Sequence, residues 1–316
     1  MADRFIPVLV TVCAFCGHSY AAKPPVTAVA ISPDGKRVVA GSQAGIDVLS
    51  WPDLKTLKTI PTKLDQVHDL EFSPDGKRLL AAGGTPGESG VVEVFSWPAA
   101  KPQARYEHDG DLVYAVAWRP DSSGWAEAGL DRLIRVSSGG GKTIRRMTIA
   151  GHSRGVKAVG VLPGGKALVS GGNDNSLRVW SLPLGKAVRA SNNHTRPIHD
   201  LAVRPKQAGG LPMVVTVSQD RTIRLWQPTI GRMVRFVRLK KAVPLAVRWT
   251  PDGSRIVVAC TDGRLRVIDP DTVEIVQETR GIPGWAYSLD VHPDGKSAVI
   301  GGASGTIKCV PLSPRP

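Results

Sequence analysis

The sequence predicts an all-β protein in which one small antiparallel unit is repeated seven times. The hexapeptide SPDGKR at residues 32–37 returns at residues 73–78, and Pro-Asp-Gly occurs again at residues 251–253 and 293–295. One proline marks each unit: Pro33, Pro74, Pro120, Pro163, Pro205, Pro251 and Pro293. The spacings are 41, 46, 43, 42, 46 and 42 residues, a period that is typical of solenoids and propellers.

Short runs of apolar and β-branched residues flank these turns, as in residues 29–31, 37–40 and 176–180, and such runs predict strands of four to seven residues. Pro-Asp-Gly suits the tight turn between two strands, because proline fixes φ and glycine tolerates positive φ. No long helical spacing occurs beyond the N-terminus, which argues against helical solenoids. Since a four-stranded unit buries both faces only between neighbours, we predict a seven-bladed β-propeller of four-stranded antiparallel blades over residues 23–316.

Units four and five each contain a histidine, a hydroxyl residue, an aspartate and a tryptophan. These two tetrads are His152, Ser170, Asp174 and Trp180, and His194, Thr216, Asp220 and Trp226. In both, the aspartate follows the hydroxyl residue by four positions and the tryptophan follows it by ten. The pattern resembles that of WD-repeat β-propellers. The resemblance implies that each tetrad forms a hydrogen-bonded chain inside its blade, since buried polar groups need partners.

Other units depart from this pattern. The tryptophan is replaced by Ser137, Ile268 and Val310 in units three, six and seven, and Ser304 replaces the aspartate of unit seven. We therefore expect the tetrad only in blades four and five. Serine, histidine and aspartate also form catalytic triads, but no oxyanion-hole motif accompanies them. We interpret the tetrads as structural and predict no catalytic residue.

The first 22 residues have two interpretations. A charged start, an apolar run at residues 5–16 and small residues at 19–22 favour a secretory signal peptide, and the run is too short for an ordinary membrane span. Alternatively, residues 8–16 supply the closing strand of the last blade, because the pattern of unit seven ends at residues 306–310 without a fourth strand. We favour the signal, which places the mature protein outside the cytoplasm, in the periplasm or extracellular space; the alternative is cytoplasmic.

The chain is basic, with 41 Lys and Arg against 27 Asp and Glu and a formal charge of +14. This excess favours an anionic partner, an acidic protein among them. Basic residues crowd the predicted outer strands of units three and five: Lys142, Arg145, Arg146, Arg232, Arg235, Arg238, Lys240 and Lys241. We interpret them first as edge protection, because charged side chains block strand pairing. Aromatic content of 5% offers little for base stacking, so nucleic acid is a poor fit.

The start of each innermost strand carries a variable side chain. These positions are Thr27, His68, Tyr114, Lys157, His199, Leu245 and Tyr287. Neighbouring positions on the same strands are apolar or small, so we predict that the polar and aromatic members, all except Leu245, form a binding rim at one end of the central channel. The rival interpretation is that strand ends near solvent are simply polar.

Neither cofactor nor metal is predicted. His68-Asp69 and His199-Asp200 form two candidate ligand pairs, but they lie three units apart in a ring of seven, too far for joint coordination. Phosphate-binding, dinucleotide and zinc-type cysteine motifs are missing from the sequence. Cys260 and Cys309 lie in separate strands of the last two units, where a disulfide is allowed but not required.

We therefore predict a non-enzymatic platform that recognises a protein partner or another ligand. Two alternatives stay open. One is a propeller hydrolase or lactonase, which needs carboxylates and histidines that converge at one rim, whereas the sequence shows only scattered ones. The other is an intracellular scaffold that binds acidic partners through its basic surface. Because one fold supports many activities, the site must decide between them.

Overall fold

A computed structural model describes residues 23–139, 144–182, 184–205 and 210–313 of the chain. These residues form seven antiparallel sheets, and in each sheet the strands are hydrogen-bonded in chain order. The innermost strands of successive sheets pack against one another, and the last packs against the first. This confirms the predicted seven-bladed β-propeller. Six sheets have four strands, and the last has three among the described residues.

Each blade is named by its place in the chain. The innermost strands of blades one to seven are β1 Ala28–Ile31, β5 Val67–Phe72, β9 Val113–Trp118, β13 Val156–Val161, β17 Ile198–Val203, β21 Pro244–Trp249 and β25 Ala286–Val291. The second strands are β2 Arg37–Ser42, β6 Arg78–Thr85, β10 Gly124–Gly129, β14 Ala167–Gly172, β18 Val214–Ser218, β22 Ile256–Cys260 and β26 Ser297–Gly302.

The outer half of each blade follows in the same order. The third strands are β3 Gly45–Ser50, β7 Ser89–Ser96, β11 Ile134–Ser138, β15 Leu177–Ser181, β19 Thr222–Gln227, β23 Arg264–Ile268 and β27 Ile307–Pro311. The fourth strands are β4 Thr56–Ile60, β8 Pro102–Asp109, β12 Arg145–Ile149, β16 Lys186–Ser191, β20 Arg232–Arg238 and β24 Ile275–Arg280.

Burial decreases from the second strand to the outermost one. Every residue of β18 is buried, whereas five of the six residues of β16 are exposed. The second strands pack between neighbouring blades on both faces, which explains their continuous apolar sequences. The repeated turns have the predicted geometry: φ is +69° at Gly35 and +66° at Gly253.

Hydrogen bonds between described residues join blade seven to blade one. The Val26 amide donates to the Gly302 carbonyl at 3.1 Å, and the Ile31 amide donates to Asp290 Oδ2 at 2.7 Å. The side chain of His292 lies 3.0 Å from the Gly35 carbonyl. Described residues therefore close the ring between its first and last blades. The signal and closing-strand predictions concern residues 1–22, which lie outside the described ranges.

The tetrad of blade four forms the chain that the family resemblance implies. His152 Nδ1 lies 2.9 Å from Asp174 Oδ2, and His152 Nε2 lies 2.7 Å from Ser170 Oγ. Trp180 Nε1 donates to the same serine oxygen at 2.8 Å. Because the indole can only donate and the carboxylate can only accept, the hydrogen bonds run from tryptophan through serine and histidine to aspartate.

Blade five repeats this chain with a threonine. His194 lies 2.9 Å from Asp220 and 2.8 Å from Thr216, which accepts from Trp226 at 2.8 Å. Burial acts to raise the pKa of Asp220, but hydrogen bonds from Thr222 and His194 outweigh it and hold the pKa at about 2.

The distances in both tetrads match those of a catalytic triad, yet the surroundings do not. The hydroxyl residues Ser170 and Thr216 have no exposed surface, and each oxygen accepts a hydrogen bond from an indole. No substrate can reach them. This supports the structural interpretation of the tetrads.

Blade three carries a looser polar cluster in place of the tetrad. Glu127 occupies the hydroxyl position and accepts from Trp125 Nε1 at 3.0 Å. His108 lies 3.9 Å from Glu127 and 4.0 Å from Asp131, beyond hydrogen-bonding distance. Blade three therefore lacks the tetrad, as expected, and has this polar cluster in its place. The sequence analysis did not predict the cluster.

An arginine that faces the turn aspartate recurs in four blades, and the sequence analysis missed this as well. The pairs and their N–O distances are Arg135–Asp131 at 2.6 Å, Arg178–Asp174 at 3.7 Å, Arg224–Asp220 at 3.7 Å and Arg266–Asp262 at 2.7 Å. In blade six, where the histidine and tryptophan are lacking, the arginine also reaches Glu278 at 3.0 Å. In each pair the arginine follows the aspartate by four positions in the sequence. This spacing was the signal that could have predicted the pairs.

Cys260 and Cys309 are both free thiols. Cys260 is fully buried, and burial raises its pKa to about 12. It behaves as a small apolar residue of the core.

Among residues 23–313, as far as they are described, no helix is long and apolar enough to cross a membrane.

The tetrad generates the first prediction. We expect Asp174→Ala to lower the free energy of unfolding by about 1–3 kcal/mol, because His152 and Ser176 lose a buried acceptor. Chemical denaturation of the purified protein measures this. The control is Asp271→Ala, at an exposed turn of blade six, which should leave stability nearly unchanged. Equal stability of the Asp174 variant and the wild type would contradict a buried network.

Candidate functional site

The predicted rim residues line one cavity at an end of the central channel. The cavity is ≈ 350 Å³ and its walls include Thr27, His68, Tyr114, Lys157, His199, Leu245 and Tyr287. All seven side chains are half-buried. The structure therefore brings the six predicted residues and Leu245 together, because each lies at or directly before the start of the innermost strand of its blade and these strands surround the axis.

Blades two to five form a polar arc of this rim. The rings of His68 and Tyr114 contact each other with centroids 4.5 Å apart. Lys157 Nζ lies 5.2 Å from the centroid of the Tyr114 ring, a cation–π contact. Burial and the neighbouring Lys157 lower the pKa of both His68 and His199 to about 4, so both imidazoles are neutral at pH 7.

Blades six and seven form an apolar arc on the remaining part of the rim. Leu245 and Tyr287 are joined there by Trp285, whose side chain is 52% exposed. The rings of Trp285 and Tyr287 have centroids 6.0 Å apart. Trp285 was not predicted, because it precedes β25 and lies outside the repeated position. Its signal was an isolated tryptophan two residues before a rim tyrosine.

Small side chains keep the channel open below the rim. A second cavity of ≈ 400 Å³ is lined by Ala30, Ala117, Gly160 and Ala202 among others. Both cavities are bordered by Asp69, Asp200 and Arg248, so they are parts of one channel.

Carboxylates in the channel link each of three blades to the next. The amide of Val116 donates to Asp69 Oδ2 at 2.8 Å, and the amide of Val247 donates to Asp200 Oδ2 at 2.9 Å. Glu71 accepts from the Trp118 amide at 2.9 Å. Innermost strands have one edge without a neighbouring strand, and their amides need acceptors. At three of the seven junctions between described blades, namely two to three, five to six and seven to one, carboxylates of the preceding blade accept these amides.

Arg248 stands among these carboxylates. Its Nη1 lies 2.8 Å from Asp200 Oδ2. Burial opposes its charge, but Asp200, Asp290, Asp69 and Glu71 raise its pKa. The sequence analysis considered carboxylates at the rim alone and did not predict this cluster in the channel interior. Glu71, Arg248 and Asp290 come from three different blades, and their approach depends on ring closure.

Burial dominates the ionisation of this cluster. It raises the pKa of Glu71 to about 8, with a further contribution from Asp69, and it raises the pKa of Asp69 to about 6.

Within the described ranges, no group of three or more His, Cys, Asp or Glu side chains is arranged to hold a metal ion. His68-Asp69 and His199-Asp200 border the same cavity without forming such a group.

The basic charge is concentrated on one side of the ring. Fifteen Lys and Arg but only three Asp and Glu fall between positions 175 and 261, in blades four to six. Two of these three acids, Asp200 and Asp220, are engaged in the channel and in a tetrad. Arg232, Arg235 and Arg238 of β20 are all exposed. This surface is the second candidate for contact with a partner.

Comparisons with known proteins agree with this architecture. Four stretches match the family described as WD domain, G-beta repeat: residues 9–46, 143–181, 185–227 and 240–269. The second and third matches each begin just before an outer strand and continue through the next blade's first three strands. The matched stretches include both tetrads.

Similar curated proteins are about a quarter identical to this chain over the aligned residues. The periodic tryptophan protein 2 homolog of Dictyostelium discoideum is 25% identical over 75% of the chain and 24% of its own length. Nuclear distribution protein PAC1 of Arthroderma otae is 25% identical over 53% of the chain and 38% of its length. The methylosome protein WDR77 of Xenopus laevis is 24% identical over 72% of each. The chain thus spans about a quarter to two fifths of the first two relatives.

The channel carboxylates generate the second prediction. Glu71 holds its proton in the folded state up to about pH 8, whereas the unfolded chain releases it near the ordinary value of 4.5. The contribution of Glu71 to stability should therefore fall as pH rises from about 4.5 to 8. The lowered pKa values of His68 and His199 act in the opposite direction below about pH 6.5. Because Glu71→Gln removes only the Glu71 contribution, we expect the urea midpoint of the variant, relative to that of the wild type, to rise from pH 5 to pH 8. Exposed Glu274→Gln is the control. A Glu71 variant with the wild-type pH dependence would contradict the raised pKa.

Proposed function

Since the chain belongs to the WD-repeat β-propeller family, we propose that it is a non-enzymatic platform that binds a protein partner at the rim of its channel. The observation that carries this proposal is the rim cavity itself. Seven side chains of five different kinds converge on it, while the strands that hold them repeat one pattern. A variable set on a regular scaffold is typical of a recognition surface.

The hydrolase or lactonase alternative has less support. It needs carboxylates that are available for chemistry. In the channel, Asp69, Glu71, Asp200 and Asp290 each accept a backbone amide of the next blade. Each thus has a structural task that explains its position. These hydrogen bonds account for the cluster as part of the ring's framework, and no bound substrate is required to explain it.

Similarity to the methylosome protein covers 72% of that protein and 72% of this chain. The shared unit is accordingly most of a ring rather than one or two repeats. We infer that this chain, like other WD-repeat propellers, presents the assembled ring to its partner.

The third prediction tests the rim. We expect replacement of Tyr114, Lys157 and Tyr287 together by alanine to abolish capture of partners from an extract of the source cells, while thermal unfolding stays nearly unchanged. The reason is that these half-buried residues begin strands and lie outside the blade cores. Capture on the immobilised full chain, followed by mass spectrometry, gives the readout.

The matched control replaces Arg232, Arg235 and Arg238 by alanine. Capture by this variant should persist. If capture instead survives in the rim variant, is lost in the arginine variant and falls steeply as salt increases, the basic surface is the binding site, because exposed charge contacts are screened within a Debye length of about 8–10 Å.

The location of the protein is a separate proposal. We keep the signal-peptide interpretation of residues 1–22 and with it export. The alternative is a closing strand in an intracellular scaffold. The repeat match that begins at residue 9 agrees with it, since the matches at residues 143 and 185 likewise begin before an outer strand.

The fourth prediction separates these interpretations. Export predicts that the folded protein purified from its source starts near residue 22, and that residues 23–316 fold without the first 22. N-terminal sequencing and the thermal unfolding of a truncated chain measure both. An intact Met1 on the folded protein, together with loss of folding on truncation, would favour the closing strand.

A further inference from the structure

Lys157 differs from the other charged groups of the channel because its ammonium has no carboxylate partner. Within the described part of the chain, no ion pair or hydrogen bond of Lys157 Nζ is present, and its one polar contact is with the face of the Tyr114 ring. Burial lowers its pKa. Arg248, one layer deeper, is by contrast held by Asp200 at 2.8 Å. A half-buried ammonium without an anion is a binding site for one.

The groups that face Lys157 do not neutralise it. His68 and His199 flank it on the rim, and its charge lowers the pKa of both. Asp69 and Asp200 directly follow the two histidines in the sequence. Their carboxylates accept backbone amides of the next blades instead of pairing with Lys157. The polar arc thus presents one unpaired positive charge between neutral imidazoles, and it suits a single carboxylate.

Across the cavity, the apolar arc offers Leu245, Tyr287 and the exposed ring of Trp285. Exposed aromatic and aliphatic side chains beside a polar group are typical of the central contacts of protein interfaces. The cavity of ≈ 350 Å³ is at the lower end of the range for ligand pockets, roughly 300–1,000 Å³. It therefore suits a pair of side chains better than a folded element.

We propose that the rim cavity binds a peptide segment of the partner in which an acidic side chain and an adjacent aromatic side chain are recognised together. The carboxylate pairs with Lys157, and the aromatic ring packs against Trp285 and Tyr287. This inference rests on the proposed function, since it names the chemistry that the rim recognises. It also assigns a role to Trp285, which the repeat pattern does not include.

Degenerate peptides with a fixed central pair test the proposal. Four fluorescein-labelled decapeptide pools contain Glu-Phe, Gln-Phe, Glu-Ser or Lys-Phe at the centre. Binding to the full chain is followed by fluorescence anisotropy. We expect the Glu-Phe pool to bind about tenfold more tightly than the Gln-Phe pool and than the Glu-Ser pool, which is the scale of one charge-assisted hydrogen bond or one packed ring.

Variants locate the two halves of the site. Lys157→Met should abolish the preference for Glu-Phe over Gln-Phe, and Lys157→Arg should retain most of it. Trp285→Ala should abolish the preference for Glu-Phe over Glu-Ser. Lys55→Met, at an exposed turn of blade one, should change neither. Circular dichroism confirms that each variant is folded.

Three results would overturn the proposal. One is a preference for Lys-Phe, which would assign the cavity to cationic peptides. Another is a Glu-Phe preference that survives Lys157→Met but is lost when Arg232, Arg235 and Arg238 are replaced, which would place recognition on the basic surface. The third is failure of every pool to bind. If no pool binds but partner capture is still lost in the rim variant, the proposed binding platform is supported. Only the proposal of an acidic–aromatic segment is then rejected.

Discussion

Unpaired amides on the inner edges of the innermost strands are the constraint on which the ring depends. The inner edge of such a strand has no neighbouring strand, so its amides need other hydrogen-bond acceptors. Asp69, Asp200 and Asp290 meet this need by accepting amides of Val116, Val247 and Ile31 in the following blade. The same bonds that satisfy the edges also join the blades.

This arrangement separates structure from recognition along each innermost strand. The framework residues lie inside the channel, where Asp69 and Asp200 join blades and alanines leave space. One residue earlier, at the rim, the side chain differs from blade to blade, and within the described ranges Thr27 is the one that bonds to the backbone of the next blade. His68 and His199 precede the two framework aspartates directly, and Lys157 precedes an alanine. The rim is therefore free to carry specificity on a rigid frame.

The sequence predicts what depends on local spacing. One proline at a similar place in each repeat reveals seven blades. The spacing of the tetrads carries the family resemblance, and that resemblance implies the hydrogen bond between Ser170 and Trp180, which lie on adjacent strands of one hairpin. Contacts between blades are harder to predict from the sequence. The partners Asp69 and Val116 are 47 residues apart, and Asp290 and Ile31 are 259 apart. Such pairs follow only from the geometry of the closed ring, which is why the carboxylate cluster was not predicted.

Native-state hydrogen exchange of the Ile31, Val116 and Val247 amides tests the central claim most directly. If channel carboxylates accept these amides, all three should exchange as slowly as amides paired within the strands, since exchange requires the blades to part. Exchange of these amides as rapid as that of the exposed turns would contradict the account, because the inner edges would then be open to water and the ring would be held by its apolar faces alone.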